Sequence, residues 1–395
     1  MGEKITVRYP EYYPLFACKG GACQDTCCAS WQIGADPVSL KRYKKEKGEF
    51  RERLRDGIDG TTGEFRMKDG RCPFLNEKNL CDMYLHLGKD SLCYTCREFP
   101  RHVEDYGYVR EFSLSLACPE AAGMILSGEN QDFYIRTKTV EQVHPVEEEC
   151  LDFLLKLRDV CFYLLNYGKV EGQGEKPPIG LRMAMILVLA HDVQRHMRQG
   201  ERTPEEVLTR YTKRGAQERF AEKIMRMKRE AATGTLSGWF ARLEGLEPVS
   251  KEWRRLAKNC RKKLEEYGSR TQNGKTGNPK AETENSEREA RTALSETELE
   301  SLLRYYLYLW LPGAVYDGKP YLAVKLAVVS CILIELVCRT EGVDAVTAAH
   351  LWARELEHSA VNLNKTERLL TKSQAFSWNP VLRSVLFCFL PCKLI

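Results

Sequence analysis

Hydrophobic positions are distributed differently on the two sides of residue 122. Before it, the chain is punctuated by Gly and Cys and has few long periodic runs. Val38, Leu40 and Tyr43, set among Lys and Glu, predict one helix over 37–50. FRMKDG (65–70) and VREFSLSL (109–116) alternate enough to predict short strands. After residue 122 the pattern is helical. The run 146–166 is apolar nearly all round and starts behind Pro145, so it predicts a buried helix. A second inner helix is expected over 181–190. Thr203-Pro-Glu-Glu206 reads as a capping box with proline at the first helical position. Trp253, Leu256, Ala257, Cys260, Leu264 and Tyr267 keep i, i+3, i+4 spacing, and so form one stripe. Ser295-x-x-Glu298 is a further capping box, followed by Leu299, Leu302, Leu303, Tyr306, Leu307 and Trp310 on one face. Helices are also predicted over 321–339 and 344–362. The tail RSVLFCFLPCKLI is apolar.

Between these helices, 268–293 contains no Ile, Leu, Val, Met, Phe, Trp or Tyr. Such a segment cannot bury enough surface to offset the entropy of ordering it, and it predicts a disordered polar insertion. The expected fold class is therefore mainly α: a cysteine-rich metal-binding N-terminal region with short strands, then a helical body. The expected divisions are 1–122 (cysteine cluster), 123–267 and 294–395 (two parts of a helical domain) and 268–293 (insertion).

The cysteines add chemistry to this outline. Of 16 in the chain, Cys18, Cys23, Cys27, Cys28, Cys72, Cys81, Cys93, Cys96 and Cys118 fall in the first region. Clustered thiols form either a metal site or a disulfide framework. The opening MGEKITVRYP has no apolar signal core, so a cytoplasmic chain with reduced thiols is expected, and metal is favoured. Cys93 and Cys96 have C-x2-C spacing, which aims two sulfurs at one centre. Cys27 and Cys28 are adjacent, with Cα atoms about 3.8 Å apart. Such a pair fits best if one ligates and the other packs, or if the two serve different metal atoms. Cys150, Cys161, Cys260, Cys331, Cys338, Cys388 and Cys392 mostly sit on apolar helical faces and read as core.

Charge and hydropathy exclude some classes. A formal net charge of +5, from 60 Lys+Arg against 55 Asp+Glu, gives no basic stripe near the cysteines, so no nucleic-acid partner is expected. The longest apolar stretch, 321–337, contains Lys325 and Glu335, so no membrane partner is expected either.

GACQDTCCASWQI, RCPFLNEKNLCDMY and CREFPRHVEDYGYVREFSLSLACPEAA closely resemble the flagellin lysine-N-methylase family. That family is itself similar to small bacterial zinc- or iron-chelating cysteine-cluster proteins. The likeness continues more thinly through YLYLWLPGAVYDG and ARELEHSAVNLN, and departs at 268–293 and in the apolar tail. It implies S-adenosylmethionine-dependent methylation of lysines on flagellin, with a [4Fe–4S] cluster on the cysteines and zinc as the alternative metal. Carried over by motif, the candidate ligands are Cys23, Cys27, Cys28, Cys72, Cys81 and Cys96, with Cys18, Cys93 and Cys118 as further members. Non-catalytic chelation is the alternative function. A glycine-rich nucleotide loop after a strand is absent. So is a complete C-x3-C-x2-C triad: Cys23-x3-Cys27 begins one, but position 30 is Ser30.

Methylation by polar displacement needs a neutral amine, and a free lysine titrates near ~10.4. Arg97, Glu98 and His102 directly follow Cys96 and are the candidate catalytic residues. Glu111 is a further candidate base, and Arg97 and Arg101 could hold an anion or offset cluster charge. Asp25 could hydrogen-bond within the ligand loop. Tyr305, Tyr306, Tyr308 and Trp310 read as core or as a cation cage. Glu357, His358 and Asn362 read as a polar helix face or as part of the family's motif.

Overall fold

The computed structural model describes residues 2–23, 25–29, 31–166, 176–213, 215–225, 232–272 and 293–390. The chain opens with β1 (Glu3–Pro10). The cysteine region follows with short helices: α1 (Pro37–Lys45), α2 (Phe50–Gly57), α3 (Asp82–Leu87) and α4 (Tyr94–Glu98). A hairpin of β2 (Arg101–Tyr106) and β3 (Val109–Leu114), then α5 (Pro119–Leu126) and β4 (Phe133–Val140), complete the first part. The four strands form one sheet in the order β2-β3-β1-β4, with β1 parallel to β3 and antiparallel to β4. Gly107, at φ 72°, makes the two-residue turn between β2 and β3.

The rest is helical: α6 (Glu148–Leu165), α7 (Ile179–Arg198), α8 (Glu205–Thr212), α9 (Ala216–Met225), α10 (Thr233–Leu243) and α11 (Lys251–Gln272), followed by α12 (Glu296–Trp310), α13 (Ala314–Asp317), α14 (Pro320–Glu341), α15 (Ala345–Glu357), α16 (Ala360–Lys372) and α17 (Trp378–Phe389). Helix α14 is apolar on all sides because it is surrounded: α7, α11, α12, α15, α16 and α17 all pack on it. By length and composition it could cross a membrane, but 83% of its apolar window is buried in this protein. The two charged side chains inside its apolar run are both hydrogen-bonded. Lys325 Nζ donates to the carbonyls of Leu370 and Phe376, and Glu335 accepts from the amides of Ala293 and Leu294 and from Arg339.

Two main apolar cores result, with a small third cluster of Tyr106, Val109 and Leu151. The smaller gathers Ile33, Tyr43, Phe50, Leu54, Ile58, Phe65, Phe74 and Met83, with Cys72 and Cys93 among them. Phe65 and Phe74 meet edge to face at 5.4 Å; each buried phenyl contributes roughly 1.5–3 kcal/mol. The larger core runs from Tyr12 to Leu390 and includes Cys118, Cys150, Cys161, Cys260, Cys331, Cys338 and Cys388. The sheet is pinned to this body. Tyr308 Oη donates to the carbonyls of Arg8 and Phe112, and the Arg158 guanidinium grips Glu111 with two 2.6 Å bonds.

Several elements differ from the periodicity reading. The helix expected over 37–50 breaks before Gly48, whose φ is 131°, and restarts as α2. Segment 65–70 makes only isolated bridges, Ile58 to Phe65 and Lys68 to Arg71, because Asp69 and Gly70 turn the chain through positive φ. The box at Thr203 does not form: α8 starts at Glu205 with no side-chain cap, and the Thr203 hydroxyl reaches Glu149. The box at Ser295 does form, with both reciprocal bonds present. Helix α11 extends through Gln272 and Ala293 is bound to Glu335, so both ends of the expected insertion are structured; 273–292 lie outside the described residues. Tyr267, at the end of the α11 stripe, is exposed. The helix expected over 344–362 is two helices. The break falls at His358, and the Ser359 hydroxyl accepts from Asn362 N to start the next.

Candidate functional site

The N-terminal thiols fall into two neighbourhoods. Cys28, Cys72, Cys81, Cys93 and Cys96 are within electrostatic range of one another. Cys18, Cys23, Cys27 and Cys118 form the other set, and the vicinal pair joins the two. A hydrogen bond from Cys27 draws the Cys28 thiol down to about 7, and one from Cys96 does the same to Cys93. Cys27 and Cys96 are correspondingly pushed up. Burial raises Cys72 (to about 12), Cys81 and Cys118. Backbone N–H groups oppose that rise: Phe74 on Cys72, Met83 and Tyr84 on Cys81, Glu120 and Ala121 on Cys118. Amides aimed at sulfur suit thiolates, whether free or metal-bound. Among the described residues, no three His, Cys, Asp or Glu side chains are grouped closely enough to hold one ion.

Helix α15 holds the first thiol loop in place. Asp25 accepts from His350 Nε2 at 2.7 Å and from Arg354 Nη1 at 3.1 Å, and Arg354 Nη2 donates to Thr26 O at 2.9 Å. His350 Nδ1 lies 3.0 Å from Ala117 O, so this one imidazole ties the Asp25 loop to the residue before Cys118. Burial opposes the charge on Asp25, but the bond from His350 and the Arg354 guanidinium outweigh it and hold the carboxyl below its usual range. From the loop side, Trp31 Nε1 donates to Cys27 O at 2.6 Å, and its ring stacks on His358 at 4.3 Å.

The break after α15 presents two more polar groups beside this loop. Glu357 accepts from the Ser115 hydroxyl through one carboxylate oxygen and from Tyr305 Oη at 3.2 Å through the other. Tyr305 is itself fixed by Leu116 N. Burial raises the Glu357 carboxyl to about 7. His358 packs with Trp31 and Phe99 in a cluster of three mutually touching rings, and neither of its nitrogens, both inaccessible to solvent, meets a hydrogen-bond partner. Burial first, then the neighbouring Arg354 and His350 charges, lower it to about 3, so it is a neutral imidazole.

The sequence-predicted residues are placed unevenly around these groups. His102 faces Glu357 from β2 and is paired with Glu104 at 2.6 Å, which raises it. Arg97 and Glu98 pair with each other at 2.9 Å on the surface of α4. Glu111 is not available as a base, because it is buried and held by Arg158. Arg101 lies over the rings of Tyr13 and Phe16. Tyr306, Tyr308 and Trp310 pack in or against the core. Asn362 bonds the backbone of Glu247 and Glu355, a structural role. Trp31, Ser115, His350 and Arg354 were missed. A signal for the last two was present: His350, Arg354, Glu357 and His358 follow i, i+4, i+7, i+8 spacing, a polar stripe on a helix whose other positions are mostly apolar.

Residues 173–383, more than half of the chain, match the family model described as the FliB lysine N-methylase C-terminal domain. The flagellar biosynthetic protein FliU of Salmonella muenchen is 37% identical over 134 residues, 32% of this chain and 79% of that protein. Lysine-N-methylases of Salmonella typhimurium and Salmonella choleraesuis are each 32% identical over 181 residues, 42% of this chain. The matched stretch spans 43% of the length of those two enzymes. No solved structure matches the chain. The matched domain contains the whole polar stripe of α15, and the chain belongs to the FliB lysine N-methylase family.

Proposed function

We propose that this protein transfers methyl groups from S-adenosylmethionine to lysine side chains of flagellin in the cytoplasm, with an iron–sulfur cluster held by the N-terminal cysteines. The observation that carries this reading is the clamp of Asp25 by His350 and Arg354, which fastens the thiol loop to the family's matched domain. Relatives named for lysine methylation and for flagellar biosynthesis support the reaction and the substrate.

Thiolates are soft donors, and their number here, five in one neighbourhood and four in the other, suits a cluster that takes its thiolates on different irons. When bound, a cluster supplies one-electron chemistry or Lewis-acidic iron. Four of Cys28, Cys72, Cys81, Cys93 and Cys96 would hold it, with Cys18, Cys23, Cys27 and Cys118 as the second set of thiols.

Mass spectrometry of flagellin from cells with and without this gene tests the reading. Methylated lysines that vanish with the gene are expected. Identical methylation in both strains, while the protein is being made, would reduce it to a metal-chelating protein.

A further inference from the structure

We propose that Glu357 is the base that takes the proton from the acceptor lysine, and that Trp31, Phe99 and His358 wall the subsite where the amine sits. This rests on the methylation reading above. Three observations converge on it. Ser115 and Tyr305 each donate one hydrogen bond to the Glu357 carboxylate, which orients it and leaves further acceptor positions open. Glu357 as a residue keeps partial exposure although its carboxyl group is desolvated. Next to it, neither nitrogen of the buried His358 ring has a hydrogen-bond partner, which leaves polar capacity unused beside Glu357. The aromatic faces of Trp31 and Phe99 suit an aliphatic chain ending in a cation.

The chemistry balances. The lysine ammonium loses one proton to the Glu357 carboxylate, giving a neutral amine and a carboxylic acid. The nitrogen lone pair then attacks the methyl carbon of a methyl sulfonium. A C–N bond forms, the S–CH3 bond breaks, and its electron pair stays on sulfur as a thioether. The product is a methylammonium, and Glu357 returns its proton to solvent. A base titrating near neutrality suits this task at the pH of the cytoplasm. The groups facing Glu357 are His102 from β2, Ser115 after β3, and Tyr305 and Tyr306 from α12. Asp25, His350 and Arg354 surround the neighbouring His358.

The test compares full-length wild type, E357Q and the surface control E252Q. Rates of flagellin methylation are followed from pH 6.5 to 9.5, together with melting temperature. E357Q is expected to lower kcat by about 10²–10⁴-fold. The deficit should shrink toward pH ~10, where lysine loses its proton unaided. E357Q should melt no lower than wild type at pH 8.5, because it removes an ionised carboxylate that the fold disfavours. E357Q activity within threefold of wild type at neutral pH, or a melting temperature several degrees lower, would overturn the assignment. A second arm needs no turnover: Trp31 fluorescence, isolated by difference from W31F, titrated with Nα-acetyl-lysine methylamide. A response lost in E357Q supports the subsite even if flagellin is never methylated, in which case only the methylase reading fails. No response in wild type removes the subsite.

Discussion

Glu111→Ala gives the sharpest test of how the sheet is joined to the helical body. Glu111 and Arg158 are 3% and 0% exposed and meet through two 2.6 Å bonds. Without the carboxylate, the guanidinium would keep Tyr308 O at 3.4 Å, the rings of Tyr308 and Phe162 and the more distant Asp159 charge, with Arg8 as a nearby like charge. Stranding a buried charge in this way costs about 3–5 kcal/mol. Unfolding entropy of ~2.1 cal/mol/K per residue gives roughly 0.8 kcal/mol/K for a chain of this length. The expected fall in melting temperature is therefore about 4–6 °C. Glu111→Leu combined with Arg158→Met should recover most of it, since an apolar pair of similar volume replaces a buried ion pair at little net cost. Calorimetry on the two single variants and the double closes the cycle. A single variant within 1 °C of wild type, or a double no better than either single, would refute the account. Activity below the melting range should be retained, in contrast to E357Q.

Anaerobically purified protein is expected to contain iron and sulfide; Cys72→Ala or Cys96→Ala should lose most of both, while the core variants Cys161→Ala and Cys331→Ala keep them. Elemental analysis showing stoichiometric zinc and no iron would replace the cluster with a structural ion. The His358 imidazole is lowered from 6.5 to about 3, so the unfolded chain takes up a proton that the fold refuses. This residue's effect is absent above pH 6.5 and destabilises the fold progressively as pH falls toward 3. His358→Phe should flatten that part of the pH–stability curve, and an unchanged slope between pH 6.5 and 4 would count against a neutral buried imidazole. Ser295→Ala removes both capping bonds of its hydroxyl and should lower stability by about 1 kcal/mol in urea titrations; no measurable change would mean that the start of α12 is held by packing alone.

The long helices were readable because burial imposes a period on the sequence, and α6, α7, α12 and α14 lie where their apolar patterns put them. Only one of the sheet's four strands, β3, was visible. Strand β3 alternates in burial, but β4 is exposed along most of its length and carries no burial signal to read. Breaks were missed where a single residue decides: Gly48 by its positive φ, Ser359 by a capping hydroxyl. The cysteines could be counted from the sequence, but their partition into two neighbourhoods depends on contacts across β3 and α5. His350 and Arg354 were overlooked because their partner, Asp25, lies on a distant segment. Glu111 was misread for the converse reason: adjacency to a motif in sequence put it near the cysteines, while the fold turned it toward Arg158.

The Asp25 clamp has a consequence for the order in which the molecule is made. Its partners lie 325 and 329 residues downstream, so a ribosome has released the whole thiol region long before His350 and Arg354 emerge. Contacts of such sequence separation close late. During synthesis the first thiol loop therefore has only its N-terminal contacts, such as Cys72 N to Cys28 O, and stays open to metal donors, oxidants and other thiols. It becomes fixed only when the last third of the chain docks. A transcript cut short before residue 345 would yield a protein with every N-terminal cysteine and without the clamp that fixes Asp25 between Cys23 and Cys27.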